Sequence, residues 1–246
     1  MPVVGGPLDG AEAFVFDVFG TVIDWHSNIV EALKSAAPGG STEDWSAFAH
    51  EWRNAYFAQA RRIADGGEGN SSMDVIHAQT LAALLEAPRF KHLSDSWNQE
   101  QRHRLVMSWH QAKGWPDSSA GICALKEHAM AVALSNGNMR FLIELAKNAD
   151  LAWDAIFSVN LFGTCKPDPK VYQGAIYHLE VPAEKCVMVA AHLWDPRVAA
   201  KEGMKTVYIP RATDDLEEDK DNIKSKDEGG EVDLVIHSLE ELAGLF

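Results

Sequence analysis

The sequence predicts an α/β fold, a doubly wound parallel sheet with an all-helical domain inserted after its first strand. Short apolar runs rich in β-branched residues recur along the chain, and in its second half they alternate with helical segments. Strand, helix and strand in this order are typical of a parallel sheet that helices cover on both faces. The predicted strands occupy residues 14–16, 129–135, 155–159, 186–191, 205–210 and 233–238.

Helix boundaries in the second half carry clear local signals. Asp168 and Asp195 are each followed by proline, which predicts an N-cap and a first helical residue, and Gly203 stands where the second of these helices should end. Ser238 and Glu241 form a capping-box pattern for the last helix. These signals put helices between the later strands, as a doubly wound sheet requires.

Residues 24–111 have a different pattern from the rest of the chain. They lack strand-like runs, and apolar residues recur there every three or four positions, as in amphipathic helices. We predict that residues 24–111 form a helical cap domain and that residues 1–23 and 112–246 form the core. An aromatic stripe typical of a helical core consists of Trp45, Phe48, Ala49, Trp52, Tyr56 and Ala60.

Composition restricts the class of partner. The net charge of −14 argues against nucleic acids and anionic membranes, because both are bound mainly through Lys and Arg, but it leaves a small anionic substrate open. No apolar run approaches the roughly 18 residues of a membrane span, and the N-terminal stretch lacks a signal-peptide pattern. The three cysteines form no C-x-x-C pair. We therefore expect a cytoplasmic protein without a zinc site, in which the acidic run 214–231 is a solvated, mobile loop.

A carboxylate follows the first predicted strand. Asp17 stands directly after the apolar run 14–16, and the turn residues Gly20 and Thr21 come next. Parallel sheets bind ligands at the carboxyl ends of their strands, so Asp17 is placed to act as a nucleophile near backbone N–H groups. The simpler alternative is that Asp17 only ends the strand by satisfying a turn.

Later strand ends carry polar residues that fit a catalytic carboxylate. Ser135 and Asn136 offer a hydroxyl and an amide, although S-N-G is also an ordinary turn. Lys166 is a natural counter-charge for a buried aspartate, with a surface lysine as the alternative. His192 is a candidate base close to Asp195, although a lone histidine here is more often structural. The occurrence of Asp17 and all these polar residues at predicted strand ends favours a catalytic site.

The order of these motifs resembles the haloacid dehalogenase superfamily. The chain contains, in this order, D-x-F-G-T, S-N-G, K-P-D-P and a strand followed by W-D, with a helical insertion after the first motif. The likeness covers essentially the whole chain. Four segments resemble the type II L-2-haloacid dehalogenases more closely than the phosphatases of the superfamily: FDVFGTVIDW, LSNGN, KPDPKVY and the W-D of AAHLWD. The resemblance implies a Rossmann-like core with a helical cap, and a hydrolase that acts on carbon–halogen bonds. Dimers are common in this family, so it also allows a homodimer.

Phe19 separates two branches of this superfamily. Phosphatases have a second aspartate at this position, which protonates the leaving group, and general acid catalysis typically contributes about 10²–10⁴ in rate. Halide leaves as a stable anion and needs no proton. Phe19 therefore favours dehalogenation over the alternative, a phosphatase in which Asp17 and Asp195 would hold Mg²⁺.

The resemblance also implies a mechanism that needs no metal or cofactor. Asp17 would attack C2 of an L-2-haloalkanoate and expel halide with inversion, and water would then hydrolyse the aspartyl ester to give the D-2-hydroxy acid. Thr21, Ser135 and Lys166 would position and neutralise Asp17, Asp195 would complete the catalytic set, and Tyr172 would support Lys166. The implied substrate-binding residues are Phe19, Trp25, His26, Asn136 and Tyr172.

The sequence departs from the family pattern in the fourth motif and in the cap. Well-known members read S-S-N-x-W-D where residues 190–195 read A-A-H-L-W-D, and we expect His192 to activate the hydrolytic water. The cap lacks the family's arginine near P-G-R-G and reads P-G-G-S-T at residues 38–42. These departures leave open a third class, a protein of this fold that binds ligand with little turnover. The candidates to hold the halide or carboxylate in the cap are His26, Arg53, Arg61 and Arg62.

Overall fold

The computed structural model describes residues 5–69 and 72–246. The chain divides into two compact units. The core unit consists of the residues up to Asp24 together with Gly114–Phe246, and the inserted unit is Trp25–Lys113. None of the helices in the described ranges is both long enough and apolar enough to span a membrane.

The core unit contains a six-stranded parallel sheet, which confirms the predicted α/β fold. The strands of the chain are β1 (Ala13–Phe16), β2 (Ile23–Asp24), β3 (Lys113–Gly114), β4 (Met130–Ser135), β5 (Ala155–Ser158), β6 (Cys186–Ala190), β7 (Lys205–Tyr208) and β8 (Leu234–Val235). The sheet has the order β5-β4-β1-β6-β7-β8, and each predicted apolar run overlaps one of its strands.

The order of the sheet reverses at β1. From this strand the chain first builds outwards through β4 and β5, and then returns to the other side of β1 to add β6, β7 and β8. Phe16 is in register with Ala133 of β4 and with Val189 of β6, so the carboxyl ends of these strands lie side by side. Open parallel sheets bind ligands at such a reversal, which directs attention to the residues that follow β1, β4 and β6.

Helices cover both faces of the sheet. Val15 packs in one apolar cluster with Val171 and Ala199, whereas the ring of Phe14, which points to the opposite face, meets Phe246 edge to face at 5.4 Å. The helices are α1 (Trp25–Ala36), α2 (Trp45–Ala64), α3 (Met73–Leu85), α4 (Lys91–Ser96), α5 (Gln99–Ser108), α6 (Ser118–Leu125), α7 (Met139–Asn148), α8 (Pro169–Leu179), α9 (Trp194–Lys201) and α10 (Leu239–Ala243).

Most of the predicted helix boundaries are confirmed. Asp168 is the N-cap of α8, Ser238 is the N-cap of α10, and Gly203 follows α9 with a φ of +87°. The prediction that Asp195 caps α9 is wrong, because Leu193 is the N-cap and Asp195 lies in the first turn of the helix. The Asp195 carboxylate is instead engaged by other side chains of the core.

The inserted unit is built from α1–α5. Trp45, Phe48, Trp52 and Tyr56 of α2 are buried, and the indole of Trp52 meets that of Trp109 edge to face at 5.3 Å. The aromatic stripe is therefore the apolar core of this unit, as its helical spacing predicts.

Candidate active site

Side chains from several loops meet at Asp17, directly after β1. Lys166 Nζ lies 2.7 Å from Asp17 Oδ1, while Thr21 Oγ1 and His192 Nδ1 lie 2.8 Å and 3.2 Å from Asp17 Oδ2. The Thr21 hydroxyl is held in turn, because it accepts the backbone N–H of Ala191 at 2.8 Å. Asp17 therefore belongs to a buried polar network and does more than end a strand.

The environment of Asp17 keeps its carboxyl group ionised. Burial alone raises the pKa of Asp17, but the Lys166 ammonium and the His192 ring outweigh burial, so this pKa lies below its ordinary value. The residue is only 6% exposed. A negative oxygen that few water molecules can reach has the properties of a nucleophile.

Lys166 joins Asp17 to Asp195. Its Nζ lies 2.5 Å from Asp195 Oδ2, and the Tyr172 hydroxyl donates to Asp195 Oδ1. Burial lowers the pKa of Lys166, but the two carboxylates more than compensate and raise it, so the ammonium keeps its charge. Burial, followed by the charge of Asp195, raises the pKa of Tyr172, which leaves the phenol protonated as a donor.

The S-N-G turn supports Lys166 and not Asp17 directly. Asn136 Oδ1 accepts the Lys166 backbone N–H at 2.8 Å, and Asn136 Nδ2 donates to the Lys166 carbonyl at 3.3 Å. The Ser135 hydroxyl accepts the N–H of Gly137 at 3.2 Å, and no hydrogen bond joins it to Asp17 in the described part of the chain. The expected direct contact from Ser135 is thus missing, since its oxygen is used within its own turn.

His192 lies between two carboxylates. Its Nδ1 faces Asp17, and its Nε2 lies 3.1 Å from Asp214 Oδ1. The His192 side chain is 13% exposed, more than those of Asp17, Lys166 and Asp195. Water can therefore reach the imidazole more readily than it can reach the rest of the network.

Asp214 is the residue of this network that the sequence interpretation missed. The acidic run 214–231 is predicted to be solvated, yet Asp214 is only 2% exposed. Its position follows β7, whose carboxyl end lies beside that of β6. Strand ends direct attention to the loop after β7, but Asp214 lies six residues beyond Tyr208 and nothing in the sequence separates it from its acidic neighbours.

Comparison with known proteins identifies the family. A model of the haloacid dehalogenase-like hydrolase family matches residues 11–203. The chain belongs to this family. (S)-2-haloacid dehalogenase 1 of Pseudomonas sp. (strain CBS-3) is 30% identical over 212 residues, which are 83% of this chain and 86% of that protein.

Solved structures extend the likeness of this haloacid dehalogenase-like hydrolase to nearly its whole length. The L-2-haloacid dehalogenase PA0810 is 32% identical with a TM-score of 0.80, over 95% of this chain and 97% of that chain. The defluorinating L-2-haloacid dehalogenase Rha0230 is 29% identical with a TM-score of 0.81, over 95% of this chain and 94% of that chain. The resemblance read from the order of the motifs is thereby confirmed.

Phe19 is an apolar packing residue in this member of the family. Its ring stacks on that of Phe141 with centroids 5.4 Å apart, and the residue is 9% exposed. A benzyl side chain can neither donate a proton to a leaving group nor bind a cation through oxygen. The aspartate that phosphatases of the superfamily use at this position is replaced by a surface that excludes water.

The residues of the site do not fit a magnesium ion. Within residues 5–69 and 72–246, no group of three or more His, Cys, Asp and Glu side chains could hold a metal. Asp17 and Asp195, the carboxylates that a phosphatase would use, are bridged by the Lys166 ammonium at 2.7 Å and 2.5 Å. A divalent cation placed between these carboxylates would be repelled by the buried Lys166 ammonium at short range.

The remaining predicted residues belong to the inserted unit. Trp25 is buried, stacks on Trp109 at 5.8 Å, and carries the Arg53 guanidinium 4.2 Å above its ring. His26 Nε2 and Ser46 Oγ lie 2.9 Å apart. Contacts of Trp25 and His26 with substrate stay predictions.

The arginines of the inserted unit differ in burial. Arg53 is 7% exposed, whereas Arg61 and Arg62 are exposed. Arg61 is paired with Asp65 at 3.1 Å, and Arg62 donates to the carbonyl of Glu68 at 3.1 Å. Of these arginines, Arg53 alone is held in an aromatic environment that excludes water.

Proposed function

We propose that this chain is a hydrolytic dehalogenase that converts L-2-haloalkanoic acids into D-2-hydroxy acids and halide through an ester on Asp17. The observation that carries the proposal is a buried, ionised Asp17 held by Lys166, next to Phe19 where a general acid would otherwise stand. Relatives that bear the name (S)-2-haloacid dehalogenase support this choice of substrate.

In the first step an Asp17 oxygen attacks C2 of the substrate. A carbon–oxygen bond forms as the carbon–halogen bond breaks, and the bonding pair leaves with the halide. Attack from the side opposite the halogen inverts C2. Thr21 and Lys166 hold the carboxylate for this displacement, and no proton donor is needed, which agrees with Phe19.

In the second step water attacks Cγ of the esterified Asp17. His192 accepts one proton of this water, the bond between Cγ and the alkyl oxygen breaks, and the proton passes to the departing alkoxide. Asp17 loses the remaining proton to solvent and returns to its ionised form. The Lys166 ammonium, 2.7 Å from Oδ1 in the resting site, is suited to stabilise negative charge on that oxygen during the attack.

We also propose which residues of the inserted unit bind the substrate, that no cofactor is needed, and in which compartment the enzyme acts. Trp25 and His26 contact the substrate in this proposal, Arg53 is the candidate to hold the halide or the carboxylate, and the reaction requires neither metal nor cofactor. Cys123, Cys165 and Cys186, all within the described residues, form no disulfide, which is consistent with a cytoplasmic enzyme.

Halide release from L-2-chloropropionate tests the proposed function. We expect chloride and D-lactate in equal amounts, with the same rate in the presence of a metal chelator, and much slower release from the D-enantiomer because inversion requires attack from one side. Magnesium-dependent phosphate release from p-nitrophenyl phosphate, or ligand binding without release of either product, would contradict the proposal.

Replacing His192 with alanine should separate the two steps. We expect steady-state turnover to fall by about 100-fold, because general base catalysis of the hydrolysis is lost, while the first equivalent of halide is still released. Mass spectrometry of the peptide that contains Asp17 should then detect the trapped ester. His237→Ala, at an exposed position of the core unit, is the matched control. Unchanged turnover of His192→Ala without a trapped ester would show that His192 is not the base.

A further inference from the structure

We propose that Asp214 is a positioning residue for His192 in ester hydrolysis, and that the start of the acidic run is built to hold it there. This inference rests on the proposed function, since it assigns a residue to the second step of that reaction. It replaces the prediction of a solvated loop for this part of the chain.

The contacts of His192 assign a partner to each ring nitrogen. Nε2 faces Asp214 Oδ1 at 3.1 Å and Nδ1 faces Asp17 Oδ2 at 3.2 Å. When Asp17 is esterified, Asp214 is the one of these two partners that is still a carboxylate, so a neutral ring keeps its hydrogen on Nε2 and its lone pair on Nδ1. The basic nitrogen therefore points towards the carboxyl group of Asp17, where water must attack.

Ester formation changes the charge that His192 meets. Before the reaction both neighbouring oxygens belong to carboxylates, and a ring protonated on both nitrogens can donate to each of them. Once Asp17 is alkylated it bears no charge, so a negative oxygen no longer stabilises a proton on Nδ1. Asp214 then retains the Nε2–H tautomer, and Nδ1 is ready to accept a proton from water.

The backbone around Asp214 is held by contacts that a solvated loop would not need. Lys220 Nζ donates to the carbonyl oxygens of Arg211 at 2.8 Å and of Asp214 at 2.7 Å. Asp215 adopts a φ of +51°, in the left-handed region that is costly for a residue with a side chain. Its Oδ2 accepts the N–H of Leu193 at 2.6 Å, so consecutive carboxylates hold the ring of His192 and the peptide that follows it.

Gly20 makes room for the Asp214 carboxylate. A Cβ added at Gly20 would lie 2.3 Å from Asp214 Oδ1, and Gly20 itself has a φ of +85°. The other oxygen, Oδ2, accepts the Thr213 hydroxyl at 3.1 Å. The turn after β1 thus accommodates Asp214 at the distance that His192 requires.

The substitution Asp214→Asn tests this role, with Asp221→Asn at an exposed position of the same run as the matched control. We expect the first-turnover release of chloride from L-2-chloropropionate to stay within about threefold of the parent, and steady-state turnover to fall at least about 10-fold, because an amide does not hold the tautomer of a catalytic histidine as a carboxylate does. The ester on Asp17 should accumulate. In the His192→Ala background Asp214→Asn should have little further effect, because the two residues act as a unit.

Each outcome decides for or against the inference. A variant that hydrolyses the ester as fast as the parent, or that slows ester formation and hydrolysis equally, would show that Asp214 has at most a structural role. If the parent releases no halide, the proposed function itself fails, and the role assigned to Asp214 fails with it. Should Asp214→Asn not fold, Asp214→Ser, which occupies less space beside Gly20, serves for the same measurements.

Discussion

Asp17→Asn should release halide from L-2-chloropropionate more than about 10⁴-fold more slowly than the parent, because an amide oxygen lacks the charge that the nucleophile requires. The near-identical size of asparagine preserves the shape of the site, so the loss should be in the rate of ester formation. Chloride release in a single turnover, with mass spectrometry of the Asp17 peptide, is the measurement.

Asp9→Asn, at an exposed position of the core unit, is the control for this substitution and should retain full activity. Asp9→Asn should unfold near the temperature of the parent, whereas Asp17→Asn should unfold at a lower temperature, because it removes a carboxylate from the buried pair with Lys166; both should stay folded under the assay conditions. Rapid formation of an ester in Asp17→Asn, or an ester found on another residue, would refute Asp17 as the nucleophile.

Lys166→Met should reduce dehalogenation by about 10³-fold, because it removes the buried cation that neutralises Asp17 and stabilises charge during ester hydrolysis. It should also destabilise the fold by about 3–5 kcal/mol at pH 7, since Asp17 and Asp195 would remain buried without their shared partner. Halide release and the free energy of unfolding by denaturant are the measurements.

The loss of stability in Lys166→Met should depend on pH. Without the ammonium, burial raises the pKa values of both carboxyls above those of the unfolded chain, so the folded variant binds more protons than the unfolded one. Its free energy of unfolding then falls as pH rises through these pKa values. In the parent the pKa of Asp17 lies below its ordinary value, so the stabilising contribution of Asp17 is present above about pH 4 and is lost only on further acidification.

The difference between parent and variant should therefore be largest near pH 7 and shrink towards pH 5. Lys170→Met, at an exposed position in the first turn of α8, is the matched control and should show no such dependence. A constant difference across this range would indicate that lost packing, and not uncompensated charge, destabilises the variant.

The features that could be predicted from the sequence are those that depend on local patterns. Buried parallel strands are continuous apolar runs, and Asp168, Gly203 and Ser238 end or begin helices through contacts within their own turns. Because strand ends of a parallel sheet share one edge, the convergence of Asp17 and Lys166, 149 positions apart, also follows from a simple rule.

Local patterns failed where distant contacts compete for the same side chain. Asp195 has the sequence context of an N-cap, but its carboxylate is taken by Lys166 and Tyr172, and the helix begins earlier. The amide of Asn136 holds the backbone of Lys166, which no spacing in the sequence indicates. In each case the stronger partner is brought close by the packing of another element.

By itself the sequence determined the parallel sheet with its helical insertion, the family, Asp17 as the candidate nucleophile, and Phe19 as the residue that favours carbon–halogen over phosphate chemistry. Only the tertiary structure decided which member of the acidic run is buried. Asp214 reaches His192 because β6 and β7 end side by side, Gly20 has no side chain to block it, and Lys220 ties the loop down. The sequence shows that such a run is negatively charged, whereas the path of the folded chain determines which of its carboxylates is buried.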